Sequence, residues 1–160
     1  MKRIHSLFAK SLVLACALAL LCSGAAFAQG NIITGNDSQK ILQIARNYGP
    51  AEIATTSRGN PMISGSMDEI SYTVNFTGCT NGADCTELFF FAWWQGSQGM
   101  NAARINDWNA DRFYGKMYID SDGDLAVEMW VNLSYGVVTE TLDDDFDWWN
   151  IVLNDVQAAI

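Results

Sequence analysis

The sequence predicts an α+β protein: a single antiparallel five-stranded sheet with helices packed on one face, in the order α-β-β-β-α-β-β-α. Three observations lead there. Ile70-Ser71-Tyr72-Thr73-Val74-Asn75-Phe76 alternates cleanly between apolar and polar, the signature of a half-buried strand. Asp122-Gly123 sits between two long extended runs, a strong hairpin signal that makes those runs antiparallel neighbours. Three separate stretches carry helical spacing, and each offers one apolar side with which to cover a sheet.

The chain opens with a segment that reads as a secretory signal peptide, residues 1–28. Lys2, Arg3 and Lys10 form a basic region, Ser11 to Leu21 an apolar one, and Ala26-Phe27-Ala28 a small-x-small cleavage site before Gln29. The segment is too short and wrongly flanked for a membrane anchor. Cys22 is a rival lipid-acceptor site, but Leu21 stands directly before it, where a small residue is expected; plain export fits better. Residues 29–36 read as a polar lead-in, and residues 37–160 as one domain.

Within that domain, Asp37 or Ser38 caps a first helix running through Ile41, Leu42, Ile44, Ala45 and Tyr48, and Gly49-Pro50 stops it. Ala51 to Thr56 reads as a strand, Arg58 to Pro61 as a turn and Met62 to Ser66 as the returning strand. The alternating Ile70–Phe76 segment comes next, and Glu87 to Trp94 is its partner. Gln95 to Gly99 is a glycine-rich break. Met100 to Ala110 follows as a helix that packs through Ala103, Ile105 and Trp108. The long hairpin joins Arg112–Asp120 to Asp124–Leu133, whose Leu125, Val127, Met129, Val131 and Leu133 form one apolar face. The last helix starts near Thr139 and presents Leu142, Phe146, Trp149, Val152 or Leu153, and Val156.

Charge and composition exclude several functions. Removing residues 1–28 leaves 132 residues, with eighteen acids against six basic residues, a formal net charge of −12. Such a surface repels phosphate backbones and anionic headgroups, so neither nucleic acid nor a peripheral membrane is expected as partner. The longest apolar run after the leader, Leu88 to Trp94, has seven residues and cannot span a bilayer. The single histidine, His5, leaves with the leader, and with it go Ser-His-Asp, Cys-His and histidine-zinc chemistry. Cys16 and Cys22 leave as well. Cys79 and Cys85 remain and read as a structural disulfide across a hairpin tip, because a redox pair would use Cys-x-x-Cys at a helix start.

The acids point to no cofactor, metal or catalytic pair. Asp120-Ser121-Asp122-Gly123-Asp124 resembles part of a calcium loop. A calcium loop of the EF-hand type needs glycine sixth and glutamate twelfth, and here glycine is fourth and Val131 is twelfth. A soluble hairpin tip is the simpler reading. Glu140, Asp143, Asp144, Asp145 and Asp147 crowd the opening turns of the last helix, where acids complement the helix dipole. Glycoside hydrolysis would require one carboxyl of raised pKa beside an ionised one, and no pair is marked as such.

The aromatic residues carry more information. Phe89, Phe90, Phe91, Trp93 and Trp94 place rings on both faces of one strand, and sequence leaves open which set faces outward. If the Val127 side is core, Trp130 points away from it with Ala126, Glu128 and Asn132. By alternation Tyr114, Lys116 and Tyr118 share that outer face, opposite Phe113, Met117 and Ile119. Tyr114, Tyr118, Trp130, Phe89, Phe91 and Trp93 are therefore the candidate interaction surface, an aromatic patch left bare by helices that cover one face only.

The order of these motifs resembles the YbjN-domain family of bacterial proteins. The similarity runs through Gly59-Asn60-Pro61, Tyr72–Phe76, Asn106–Asn109, Arg112-Phe113, Tyr118–Leu125, Glu128-Met129, Asn132-Leu133 and Gly136–Thr139, and spans roughly Gln39 to Val156. It implies a fold like that of type III secretion chaperones and a role in sensory transduction without established catalysis. The expected function is a non-catalytic, chaperone-like or adaptor module, exported to the periplasm or, as the alternative, secreted from the cell, that binds a protein partner or a second copy of itself. A small-ligand or glycan binder with a tryptophan platform is the alternative, and an acid-dependent hydrolase a distant third.

Overall fold

A computed structural model describes residues 31–160. The leader assigned to residues 1–28, its cleavage point between Ala28 and Gln29, and Cys16 and Cys22 lie outside these residues. The elements are β1 (Ile32–Ile33), α1 (Ser38–Ala45), β2 (Ala51–Thr55), β3 (Pro61–Met67), β4 (Ile70–Thr77) and β5 (Glu87–Trp94). They continue with α2 (Ala102–Ala110), β6 (Lys116–Ile119), β7 (Leu125–Asn132), β8 (Val137–Val138) and α3 (Thr139–Ala159).

The main sheet is antiparallel with strand order β2-β3-β4-β5-β7-β6. It has six strands and not five: all four extended segments read between the first two helices are strands of it, one more than the order α-β-β-β-α allows. The short Ala51–Thr55 segment is a full edge strand in register with β3, pairing Ile53 with Ile63. The sheet is continued at its other end when β7, beyond α2, pairs with β5 and brings β6 to the far edge.

One row explains the core. Ile53, Ile63, Val74, Phe90 and Met129 occupy directly paired positions across five strands, all turned to the helical side. Ile63, Val74 and Phe90 are fully buried. From α3, the Phe146 ring meets Phe90 edge-on at 5.0 Å and the Trp149 ring lies 5.7 Å from it. Leu142, Phe146, Trp149, Val152, Leu153 and Val156 are all buried, so both residues left as alternatives at the fourth position are used.

Side chains set the helix ends. Asn101 Oδ1 accepts hydrogen bonds from the Ala103 and Arg104 amides, each 3.1 Å, and so starts α2 at Ala102. Ile105 and Trp108 are buried, whereas Ala103 is exposed and does not pack. Asp37 begins α1, but its carboxylate turns back to the Thr34 amide at 2.9 Å and to Lys40 Nζ at 2.7 Å and does not cap the helix amides. α1 ends at Ala45, and Tyr48 lies beyond it, its hydroxyl donating to the Asp143 carbonyl at 2.8 Å.

The segment read as a polar lead-in is in part a strand. β1 pairs Ile32 with Val138 and Ile33 with Val137, and Ile33 is 1% exposed within the core. Beyond it the chain rests on the disulfide loop. Asn36 Nδ2 donates to Asp84 Oδ1, and the Asp84 amide donates to Asn36 Oδ1 at 2.8 Å. The Cys79–Cys85 bond closes the tip of the β4–β5 hairpin as expected. No helix of the described residues is long and apolar enough to cross a membrane.

Candidate functional site

The outer face of the sheet is built by the residues that alternate with the core row. Glu52, Ser64, Thr73, Phe91, Glu128 and Lys116 form one row of paired positions. Ala54, Met62, Asn75, Phe89 and Trp130 form the row beside it. Trp93, Ala126 and Tyr118 form a third across β5, β7 and β6. The parity that sequence left open is therefore resolved: Leu88, Phe90 and Ala92 face the helices, and Phe89, Phe91 and Trp93 face away.

Five of the six candidate surface residues share this face. Phe89 and Trp130 are direct cross-strand partners with ring centroids 4.5 Å apart, and Phe89 stacks on Phe91 at 5.6 Å. Trp93 is 57% exposed and Trp130 53%. Tyr118 lies behind Lys116, whose ammonium sits 5.4 Å from its ring centroid and 3.6 Å from Glu128 Oε1. Burial, and then the Glu128 carboxylate, push the Tyr118 hydroxyl up to about 12, so it stays neutral and able to donate across the ordinary pH range.

Tyr114 sits at the margin of that face: its ring stacks on Trp148 of α3 at 4.5 Å, and it lines a hollow together with Lys116, Glu128 and Trp130. Phe113, expected on the core side, is fully exposed. Both placements have one cause. β6 begins only at Lys116, because Gly115 takes a φ of +75° and breaks the extended chain over which alternation could be counted. A Cβ at Gly115 would also meet Val152 of α3 at 2.9 Å. Upstream, Arg112 leaves the strand pattern altogether, lying 4.8 Å over the Trp108 ring and reaching Asp155 Oδ2 at 3.2 Å.

Beside Trp93 the face is concave. A groove of about 550 Å³ opens over β3, β4 and β5, lined by Ser64, Ser71, Thr73, Asn75, Phe91 and Trp93 among others, and no charged residue lines it. Sequence reasoning passed over the polar members. The signal for Ser71, Thr73 and Asn75 is the polar half of the Ile70–Phe76 alternation, and Ser64 of β3 carries none.

Two of the three carboxylates of the Asp120–Asp124 turn, those of Asp120 and Asp124, are engaged with backbone amides. Asp120 Oδ1 accepts from the amides of Asp122 and Asp124 at 2.9 Å each, and Asp124 Oδ1 accepts from the Gly96 amide at 2.6 Å. Among the described residues, no group of three or more His, Cys, Asp or Glu side chains is placed to hold a metal ion. On α3, burial and the neighbouring Asp144 raise the Asp145 carboxyl to about 6.

A helix-backed antiparallel sheet with aromatic side chains on its other face defines this molecule as an α+β protein. Residues 40–160 match the YbjN family, described as "Putative bacterial sensory transduction regulator", and the chain belongs to that family. None of the curated proteins compared matches it. Among solved structures, the chain is similar to one from the Yersinia pestis type III secretion chaperone SycH in complex with a stable fragment of YscM2. The identity is 16% and the TM-score 0.43, over 72% of this chain and 98% of that one.

Proposed function

We propose that this chain is an exported, non-catalytic binding module that holds a protein partner, as an adaptor or chaperone-like protein, on the outer face of its sheet. One observation carries the reading: Trp130, more than half exposed, forms an aromatic array with Phe89 and Phe91 on the face opposite the helices, and the exposed Trp93 stands on the same face. A surface of this kind loses free energy to water until something covers it, and exposed Trp is among the residues that most often dominate binding energy. Membership of a family described as regulatory agrees with action by binding. The leader and the disulfide support an oxidising, periplasmic setting.

The test is affinity capture from envelope extract, using the full chain expressed in a bacterial host. Trp130→Ala and Tyr135→Ala are the comparisons, Tyr135 being fully exposed outside the main sheet. The reading requires a discrete partner that is lost with Trp130→Ala and kept with Tyr135→Ala. Recovery of this chain alone, again dependent on Trp130, would make the partner a second copy. Identical capture by the Trp130 variant would overturn the proposed surface. Mass spectrometry of the recovered protein tests export directly, since the mature chain should begin at Gln29.

A further inference from the structure

We propose that the groove beside Trp93, at one end of this aromatic face and apart from Trp130, is a binding site for a neutral saccharide. The groove has two unlike sides. Phe91 and Trp93 supply ring faces from β5, while Ser64 of β3 and Ser71, Thr73 and Asn75 of β4 supply hydroxyl and amide groups. Its volume of about 550 Å³ lies within the range of small-molecule sites, roughly 300–1,000 Å³.

The polar side is organised in advance. Asn75 Nδ2 donates to Thr73 Oγ1 at 3.0 Å, which fixes both side chains along the strand. Among the described residues that bond leaves the Thr73 hydroxyl hydrogen without an acceptor and Asn75 Oδ1 without a donor. A donor and an acceptor therefore stand side by side, facing the same space as the Trp93 indole.

The chemistry of the occupant follows. An anion is disfavoured because no cationic side chain lines the groove and the chain carries a formal charge of −9. A cation would find no carboxylate among the lining residues. A wholly apolar ligand would strip water from four polar side chains and return no hydrogen bonds. A neutral sugar satisfies both sides: the C–H face of a pyranose stacks on an indole, and its hydroxyls both donate and accept. Trp93 is the platform, and Thr73 and Asn75 fix the orientation.

The experiment titrates the full chain with maltotriose, cellotriose and tri-N-acetylchitotriose by calorimetry, with a galacturonic acid trimer as the charged counterpart. The expected result is saturable binding of at least one neutral sugar and none of the acid. Trp93→Ala should weaken that binding at least about tenfold with its melting curve preserved, while Trp130→Ala binds as the parent does. Thr73→Val, which keeps the shape and removes the hydroxyl, should weaken binding without altering the fold. Absence of saturable binding by all three sugars, or binding indifferent to Trp93→Ala, overturns the proposal. Either result leaves the protein-capture experiment untouched, since that one turns on Trp130.

Discussion

Trp130 and Phe89 face each other at directly paired positions of β7 and β5, with ring centroids 4.5 Å apart, on the side of the sheet opposite the helices. One residue further along the same register, Phe90 pairs with Met129 on the opposite side, where Phe146 and Trp149 close over Phe90. Two adjacent residues of β5 thus serve different ends, one the core and one the surface.

That division is measurable as a contrast in stability. Phe90→Ala should cost about 3–5 kcal/mol, the range for emptying a packed aromatic site. Trp130→Ala should cost no more than about 1.5 kcal/mol, since it removes a half-exposed ring and one cross-strand aromatic pair. Denaturant unfolding of the two variants checks this. Equal losses would mean that the outer face contributes to the core and is not held open for a partner.

The disulfide should contribute about 2.4 kcal/mol, from closing a seven-residue loop in the unfolded chain. A Cys79→Ala/Cys85→Ala variant should lose about that amount in denaturant unfolding. Adding reductant should lower the midpoint of the parent and leave that of the variant unchanged.

Gly35 governs the docking of the N-terminal strand segment onto the hairpin tip. A Cβ there would collide with the backbone carbonyl of Cys85, which cannot swing aside as a long side chain can. Gly35→Ala should therefore cost at least about 1–3 kcal/mol. Asn36→Ala, which removes only the exposed exchange with Asp84, should cost about 1 kcal/mol or less. Thermal melts of the two variants decide whether close backbone approach or the side-chain hydrogen bonds hold the segment.

Asp145 predicts a pH dependence of definite sign. Burial, and then Asp144, raise its carboxyl to about 6, above its value in the unfolded chain near 4. The folded protein binds this proton more tightly than the unfolded one. The stability from this group is present in full below about pH 4 and is lost as the pH rises through about 6. Asp145→Asn should raise the melting temperature at about pH 8 and leave it unchanged near pH 4. Asp37 works in the opposite sense, its carboxyl lowered by the hydrogen bond from Lys40 and then by that from the Thr34 amide, so its contribution fades as the pH falls. Comparing Asp145→Asn with the parent at each pH cancels that background.

Much of this was legible in the chain because the signals are local. Alternation along Ile70–Phe76 and along Leu125–Leu133 sorted side chains into two sets without knowledge of the fold. Helical spacing picked out Leu142, Phe146, Trp149 and Val156, and six residues of separation made Cys79–Cys85 a loop closure. Alternation failed only where its premise did, at Gly115, so Tyr114 and Phe113 were assigned to faces that an unbroken strand would have presented. Tertiary structure decided what no local rule reaches. It decided that Phe89, Phe91 and Trp93 face outward and Phe90 inward, that Ile32-Ile33 pairs with Val137-Val138 about a hundred residues away, and that Trp93 lines one groove with Thr73 and Asn75. The physical reason is that strand geometry dictates only that neighbours point to opposite sides. Which side is buried depends on where the helices pack, and a groove exists only once β3, β4 and β5 lie side by side.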